Sequence, residues 1–204
     1  WFNIRTLPPG ANYPFASHAL VKTWSLEHIH AQSSLDEATC GPLKDWKEGS
    51  LKILERLTKK MEEKNKFEIL YSEINDLSIG ESAGSQKFNE IKEQAKRLSD
   101  DLETLLPNPI GEDLNKIWNL ALLGGDINSS LSNGFFHQKR DKILDFEKDE
   151  TCFIPPATVR VFLKAYSSAP DDLLLWGNTD RDDYQQRLRA IIQFTKRQGS
   201  WEHA

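Results

Sequence analysis

An acidic residue and two histidines interrupt a short apolar segment near the start of the chain. The segment reads Ser-Leu-Glu-His-Ile-His and contains Glu27, His28 and His30. Because the pKa of an unperturbed histidine lies near neutrality, an imidazole at this position could act as a general base. The neighbouring carboxylate is an oxygen donor of the kind that hard divalent cations prefer. A Glu-His pair alone is not specific, since a lone histidine is more often a core residue.

Carboxamide and basic residues form a second polar set far downstream. Asn119 lies within Trp-Asn-Leu-Ala-Leu-Leu, where a strand-forming residue would be expected, and Asn128 follows nine residues later. Asn133 comes next, and the basic residues Lys139 and Arg140 follow it. Two sets so far apart in the chain can form one site only if the elements that carry them pack together.

Hydrophobic periodicity predicts those elements. β-Branched and aromatic residues predict a strand over 21–30. The apolar run bounded by two glycines predicts a second strand over 115–126, and the pattern after it predicts helices. Residues 1–20, rich in proline, glycine and asparagine, are predicted to be irregular. The predicted helices span 127–150 with a possible break at Gly134, 155–166 and 180–198.

Residues 43–106 predict a helical hairpin or small bundle inserted between the two strands. Its clearest helix carries apolar residues at alternating spacings of three and four, namely Phe88, Ile91, Ala95, Leu98, Leu102 and Leu105. The lysines and glutamates between them are interpreted as a solvated surface. An insertion of this size is tolerable because the entropic cost of closing a loop rises slowly with its length.

Bulk composition limits the protein class. The 204 residues predict one domain over 1–204, and the Trp1 start predicts a fragment of a longer protein. No apolar run approaches a membrane span. Two distant cysteines, Cys40 and Cys152, fit reduced thiols in the cytoplasm. The net charge of −5 argues against non-specific nucleic-acid affinity over the whole surface, although a local basic patch stays possible.

The order of these motifs resembles the HNH endonucleases, and within them the C-terminal nuclease domain family of GmrSD-type restriction enzymes. The matching segments are Glu-His-Ile-His-Ala-Gln-Ser, Trp-Asn-Leu-Ala-Leu-Leu, the pair Asn128 and Asn133, and Gly-Phe-Phe-His-Gln-Lys-Arg. Ala31 and Trp118 stand where the family often has proline and glycine. The resemblance implies an α+β, mostly helical fold: a ββα-metal (HNH) hairpin-helix core with the 43–106 insertion and C-terminal helices.

The resemblance also implies roles for the polar residues. His28 would be the general base, and Asn119 would hold the hairpin loop and orient His28. Glu27 and Asn128 would bind one divalent metal, Mg²⁺ or Mn²⁺. The basic residues Lys139 and Arg140 would meet DNA phosphates, and so could His137, although solvent is its expected place. Asn133 is a possible further residue around the metal.

Several structural alternatives stay open at this stage. Asn119 could cap or bridge a turn, and Asn128 could be the N-cap of a helix over 129–135. Asn133 before Gly134 is typical of a helix C-terminus. His30 is expected to pack beside the strand and Trp176 to lie in the core. Neighbours on a regular strand point to opposite faces, so Glu27 and His28 can share a site only if the strand ends or bends there.

The functional prediction is a metal-dependent endonuclease that cuts or nicks duplex DNA. The resemblance implies a bacterial restriction or anti-phage effector, located in the cytoplasm, that follows an N-terminal nucleotide-using or sensor domain. The insert over 43–106 could serve substrate contact, docking to that domain or homo-oligomer formation. The alternatives are a catalytically silent helical interaction module and an RNase that uses the same site.

Overall fold

The computed structural model describes residues 7, 9–30, 35, 38–60, 64–80, 85–106, 114–131, 133–149, 152–170 and 172–198. The helices are α1 (Phe15–Leu20), α2 (Cys40–Lys60), α3 (Lys64–Asn75), α4 (Gln86–Leu105), α5 (Gly125–Leu131), α6 (Phe136–Lys148), α7 (Pro156–Phe162) and α8 (Asn178–Gln198); the strands are β1 (Trp24–His28) and β2 (Leu120–Gly124). The fold is therefore α+β and mostly helical. Within these ranges, none of the helices is long and apolar enough to cross a membrane.

The two strands form one antiparallel sheet whose register runs from Trp24 opposite Gly124 to His28 opposite Leu120. Backbone hydrogen bonds continue the ladder beyond both ends, from Ile29 N to Asn119 O and from Gly125 N to Thr23 O. Both strands are shorter than the sequence predicts. β2 starts only after a 3₁₀ turn over Ile117–Asn119, and α5 follows β2 without a linking residue.

The predicted helical segment over 43–106 contains three helices, α2, α3 and α4. Ser85 caps α4, its hydroxyl accepting a hydrogen bond from the Phe88 backbone N–H at 3.1 Å. The alternating spacing of three and four marks the face of α4 that packs inward, as predicted. The core of this bundle contains Leu43, Trp46, Ile53, Leu54, Leu57, Phe67, Leu70, Ile74, Phe88, Ala95, Leu98 and Leu102.

A second hydrophobic cluster surrounds the hairpin. It joins the inner face of the sheet to helices α5 to α8, and Trp176 lies within it at 2 % exposure, as predicted. Its buried members are Ile29, Ala121, Leu123, Ile127, Leu131, Phe136, Ile143, Ile154, Val161, Phe162, Trp176 and Tyr184. This packing sets the position of α5 and α6 relative to the strands.

The prediction that residues 1–20 are irregular is wrong for α1, and residues 1–6 and 8 lie outside the described residues. Pro14 immediately precedes α1, and its carbonyl accepts the first hydrogen bond of the helix, from His18 N at 3.0 Å. The ring of His18 packs edge-on against Trp24 and stacks on Phe153. Aromatic packing onto β1 therefore stabilises a helix that local composition disfavours.

The helical insert packs against the start of α6 at Gly49 of α2. A Cβ atom at Gly49 would lie 2.5 Å from Phe135 Cδ2 and 2.9 Å from the Gln138 carboxamide. Gln138 also donates from Nε2 to the Asp45 carbonyl at 2.6 Å. The absence of a side chain at Gly49 thus allows α2 to approach the start of α6 closely.

We expect Gly49→Ala to lower the free energy of unfolding by about 1–2 kcal/mol. Overpacking costs about 1–3 kcal/mol, and the higher helix propensity of alanine offsets up to about 1 kcal/mol of this. Gly41→Ala is the matched control, because nothing lies within 4 Å of a Cβ atom there. Urea denaturation of both variants tests the contact, and a Gly49→Ala protein as stable as Gly41→Ala would contradict it.

Candidate functional site

The hairpin register places Glu27 and His28 on opposite faces of the sheet. Glu27 lies opposite Ala121, faces the core and is 7 % exposed. His28 is half-buried and shares the other face with Leu26, which is 59 % exposed. The chain bends only after His28, so β1 stays regular through both residues. The structure therefore does not bring the carboxylate and the imidazole onto one face. Both residues lie near the loop end of the hairpin, which is the end where β1 finishes and β2 begins.

Lys139 of α6 is a buried partner of this dipeptide. Its ammonium forms an ion pair with the Glu27 carboxylate and donates to the His28 carbonyl at 2.7 Å. The backbone N–H of Ile29 donates to the Asn119 carbonyl across the hairpin. The His28 carbonyl belongs to the same peptide group and therefore points the other way, to the free edge of β1, where Lys139 reaches it. Burial lowers the pKa of Lys139, and the charge and hydrogen bond of Glu27 oppose this effect. At 1 % exposure, Lys139 is not the surface phosphate ligand that the sequence predicts.

The other two residues predicted to bind nucleic acid are His137 and Arg140, and neither is fully exposed. His137 is 3 % exposed and stacks on Phe135 with ring centroids 6.1 Å apart, so its expected place in solvent is wrong. Burial, with a smaller effect from Lys52, lowers the pKa of His137 to about 4, so the ring is neutral at pH 7 and unsuited to binding phosphate. Arg140 is partly buried and pairs with Asp141 at 3.2 Å. The three residues do not form one exposed basic patch.

Asn119 is completely buried and holds the hairpin loop together. Its Oδ1 accepts from His30 N at 2.9 Å, and its Nδ2 donates to His30 O at 2.8 Å and to Leu114 O at 2.9 Å. The structure therefore places Asn119 where a loop-holding residue is needed. Its hydrogen bonds go to backbone atoms, however, and not to the imidazole of His28.

Asn128 lies in the middle of α5, so the alternative that it is the N-cap of a helix over 129–135 is wrong. Its Nδ2 donates to Ser25 Oγ at 2.9 Å. Ser25 and Glu27 are two residues apart on β1, so their side chains lie on the same face of the sheet, about 6.6 Å apart along the strand. Asn128 Oδ1 is buried and accepts no hydrogen bond from the described part of the chain. Asn133 is an exposed turn residue.

Two residues of this region were missed by the sequence analysis. Ser25 holds Asn128, and its position two residues before Glu27 on a strand is the signal that could have indicated it. Asn115 accepts a hydrogen bond from His28, with 2.8 Å between Oδ1 and Nε2. No periodicity indicates Asn115, because its contact depends on the turn that precedes β2. His30 is buried, as expected, with Nε2 at 3.7 Å from Glu103 Oε1.

The donor set fits a hard divalent cation better than a zinc ion. In the described ranges, no three His, Cys, Asp or Glu side chains converge on a possible metal site. On one face of the sheet, Glu27 supplies a carboxylate and Asn128 supplies a buried carboxamide oxygen that accepts no hydrogen bond from the described residues. Mg²⁺ and Mn²⁺ bind through few protein oxygens and retain water, so these two residues suit either ion.

No protein-family model matches the sequence, no curated protein matches it and no solved structure matches it. The likeness to HNH endonucleases therefore depends on the motifs of this chain alone.

We expect Lys139→Met to lower the free energy of unfolding by about 3–5 kcal/mol, because it leaves the buried Glu27 carboxylate without its cation. Combining Lys139→Met with Glu27→Gln removes both charges and should recover much of the loss. Lys148→Met is the control, since Lys148 forms an exposed pair with Asp145 that should contribute under about 1 kcal/mol. Urea denaturation gives the three values, and a Lys139→Met protein of wild-type stability would refute the buried pair.

Proposed function

We propose that the chain is a metal-dependent endonuclease that hydrolyses DNA phosphodiester bonds at the β1–β2 hairpin. The observation that carries this proposal is the contact between Asn128 and Ser25, residues 103 positions apart. It brings a carboxamide from α5 to the sheet face that holds the Glu27 carboxylate. The order of strand, strand and helix agrees with the ββα-metal arrangement that the sequence resembles.

Glu27 and Asn128 are the residues that would hold the divalent ion, Mg²⁺ or Mn²⁺. When bound, such an ion stabilises the charge that develops on the phosphate and the leaving oxygen. Glu27 is suited to this task because its carboxylate supplies the oxygen ligands that such an ion prefers. Lys139 neutralises that carboxylate within the fold, so an incoming cation has to compete with the ammonium for Glu27.

His28 is the proposed general base, which takes a proton from the attacking water. It is half-buried at the last position of β1, and its ring stays accessible on the outer face. Glu27 and His28 point to opposite faces, but their Cα atoms are about 3.8 Å apart. A phosphodiester would have to pass across the loop end of the hairpin to approach both residues, because each face of the sheet presents only one of them.

The proposed substrate is duplex DNA, and the resemblance to GmrSD-type enzymes suggests the biological setting. By that likeness the chain is the effector part of a bacterial restriction or anti-phage protein in the cytoplasm. It would act with an N-terminal nucleotide-using domain. The net charge of −5 favours recognition through a restricted surface over non-specific attraction along the whole protein.

A catalytically silent interaction module is the second candidate. The pairing of Glu27 with Lys139 favours it, because the carboxylate is already neutralised by a residue of the same chain. In that case the three-helix insert carries the function and the hairpin is only a scaffold. The two candidates differ in whether Glu27, His28 and Asn128 affect any reaction.

Cleavage of supercoiled plasmid in Mg²⁺ or Mn²⁺ tests the nuclease proposal. We expect the wild-type chain to nick or linearise the plasmid and a chelator to abolish the reaction. His28→Ala should slow cleavage by at least about 100-fold, the usual contribution of a general base. Glu27→Gln and Asn128→Ala should raise the Mg²⁺ or Mn²⁺ concentration needed for cleavage, whereas Asn65→Ala, at an exposed position of α3, should leave the rate unchanged.

Cleavage that survives His28→Ala at the wild-type rate would contradict the assignment of the base. Cleavage of RNA but not DNA would identify a ribonuclease that uses the same residues. If no nucleic acid is cut and calorimetry detects no binding of Mn²⁺, the result contradicts the nuclease proposal and favours the silent module. Circular dichroism of each variant shows whether the fold is retained.

A further inference from the structure

We propose that Asn115 is a positioning residue that holds the His28 imidazole in one tautomer, with Nε2 protonated and Nδ1 as the proton acceptor. This inference rests on the proposed function for its catalytic meaning. The contact that carries it joins His28 Nε2 and Asn115 Oδ1 at 2.8 Å. The sequence interpretation gave the orienting task to Asn119, and the structure places a different asparagine against the ring.

The chemistry of the two atoms fixes the direction of this hydrogen bond. A carboxamide oxygen can only accept, so Nε2 of His28 has to carry the hydrogen. In a neutral imidazole the other nitrogen, Nδ1, then holds the free lone pair. Nδ1 is therefore the atom that would take a proton from water, and Asn115 decides this by occupying Nε2.

Asn115 is held in place from both sides by Asn119. The Nδ2 of Asn119 donates to the carbonyl of Leu114, and its backbone N–H donates to the carbonyl of Lys116 at 2.8 Å. The residues on either side of Asn115 are thus anchored to one buried side chain and its backbone. Asn119 also bonds both backbone atoms of His30, two residues after His28.

The effect of Asn119 on His28 is therefore indirect. Asn119 anchors the two chain segments that carry His28 and Asn115, and Asn115 makes the contact with the ring. The backbone of His28 is fixed independently, because Lys139 Nζ binds its carbonyl at 2.7 Å. The backbone of His28 is thus held by Lys139 and its ring by Asn115, and a hydrogen-bond partner of this kind fixes the orientation of an imidazole. If the hydrogen bond between Asn115 and His28 had no function, its length would be the same, but removing it would leave turnover unchanged.

Three variants test this inference in the proposed reaction. Asn115→Ala removes the acceptor, Asn115→Asp keeps an oxygen in its place, and Asn65→Ala alters an exposed asparagine of α3. We expect Asn115→Ala to lower kcat by about 10- to 100-fold with KM unchanged, the usual effect of losing an orienting partner. Asn115→Asp should recover most of kcat, and Asn65→Ala should behave as the wild type.

A measurement independent of activity is the ¹⁵N NMR spectrum of the His28 ring at a pH at which the ring is neutral. We expect wild-type His28 to carry its hydrogen on Nε2. In Asn115→Ala the populations should move toward the tautomer mixture of a freely exposed imidazole. A peptide that contains a single histidine supplies this reference, and the spectrum of His28→Ala identifies the resonance.

The outcomes separate the inference from the proposed function. If no variant cleaves nucleic acid but Asn115→Ala changes the tautomer populations, the nuclease proposal fails and the tautomer assignment to Asn115 holds. If the populations are the same in wild type and Asn115→Ala, or if wild-type His28 carries its hydrogen on Nδ1, the inference is overturned. A rise in KM with kcat unchanged would also overturn it, because Asn115 would then bind substrate and not orient a base.

Discussion

A single buried ammonium, that of Lys139, ties helix α6 to the end of strand β1. Transferring a charge from water into the interior costs several kcal/mol, so Lys139 is stable there only because both Glu27 and the His28 carbonyl receive it. These two contacts of Lys139 consequently fix the start of α6 against the end of β1. Because Gln138, the preceding residue, contacts α2 of the insert, the hairpin, the helix and the insert meet at this point.

Asn119 provides the complementary constraint in the loop. Its carboxamide joins backbone atoms that flank the insert, including those of His30, 89 residues away. A buried amide whose two N–H donors and oxygen all form hydrogen bonds can stabilise irregular backbone that neither strand pairing nor helix formation supports. The insert can therefore be large without loosening the hairpin, since its two ends are closed by hydrogen bonds at one residue.

Periodicity and residue type predicted much of this fold, including the face of α4, the placement of both strands and the unusual position of Asn119. The burial of Lys139 was not predictable, because lysine is almost never fully buried and its partner Glu27 lies 112 residues earlier in the chain. The contact of Asn115 with His28 was missed for a similar reason. It depends on the turn before β2, which Asn119 closes through hydrogen bonds to the Leu114 and Lys116 carbonyls. The opposite orientation of Glu27 and His28, in contrast, followed from strand geometry alone.

The central claim is that Glu27 and Asn128 share one hard cation on the inner face of the β1–β2 sheet, one residue along β1 from the general base His28. Anomalous X-ray scattering from crystals of the chain soaked in Mn²⁺ tests it most directly. We expect one strong peak within about 2.0–2.6 Å of a Glu27 carboxylate oxygen and of Asn128 Oδ1. A peak at other residues, or no peak while Glu27 stays paired with Lys139, would contradict the claim.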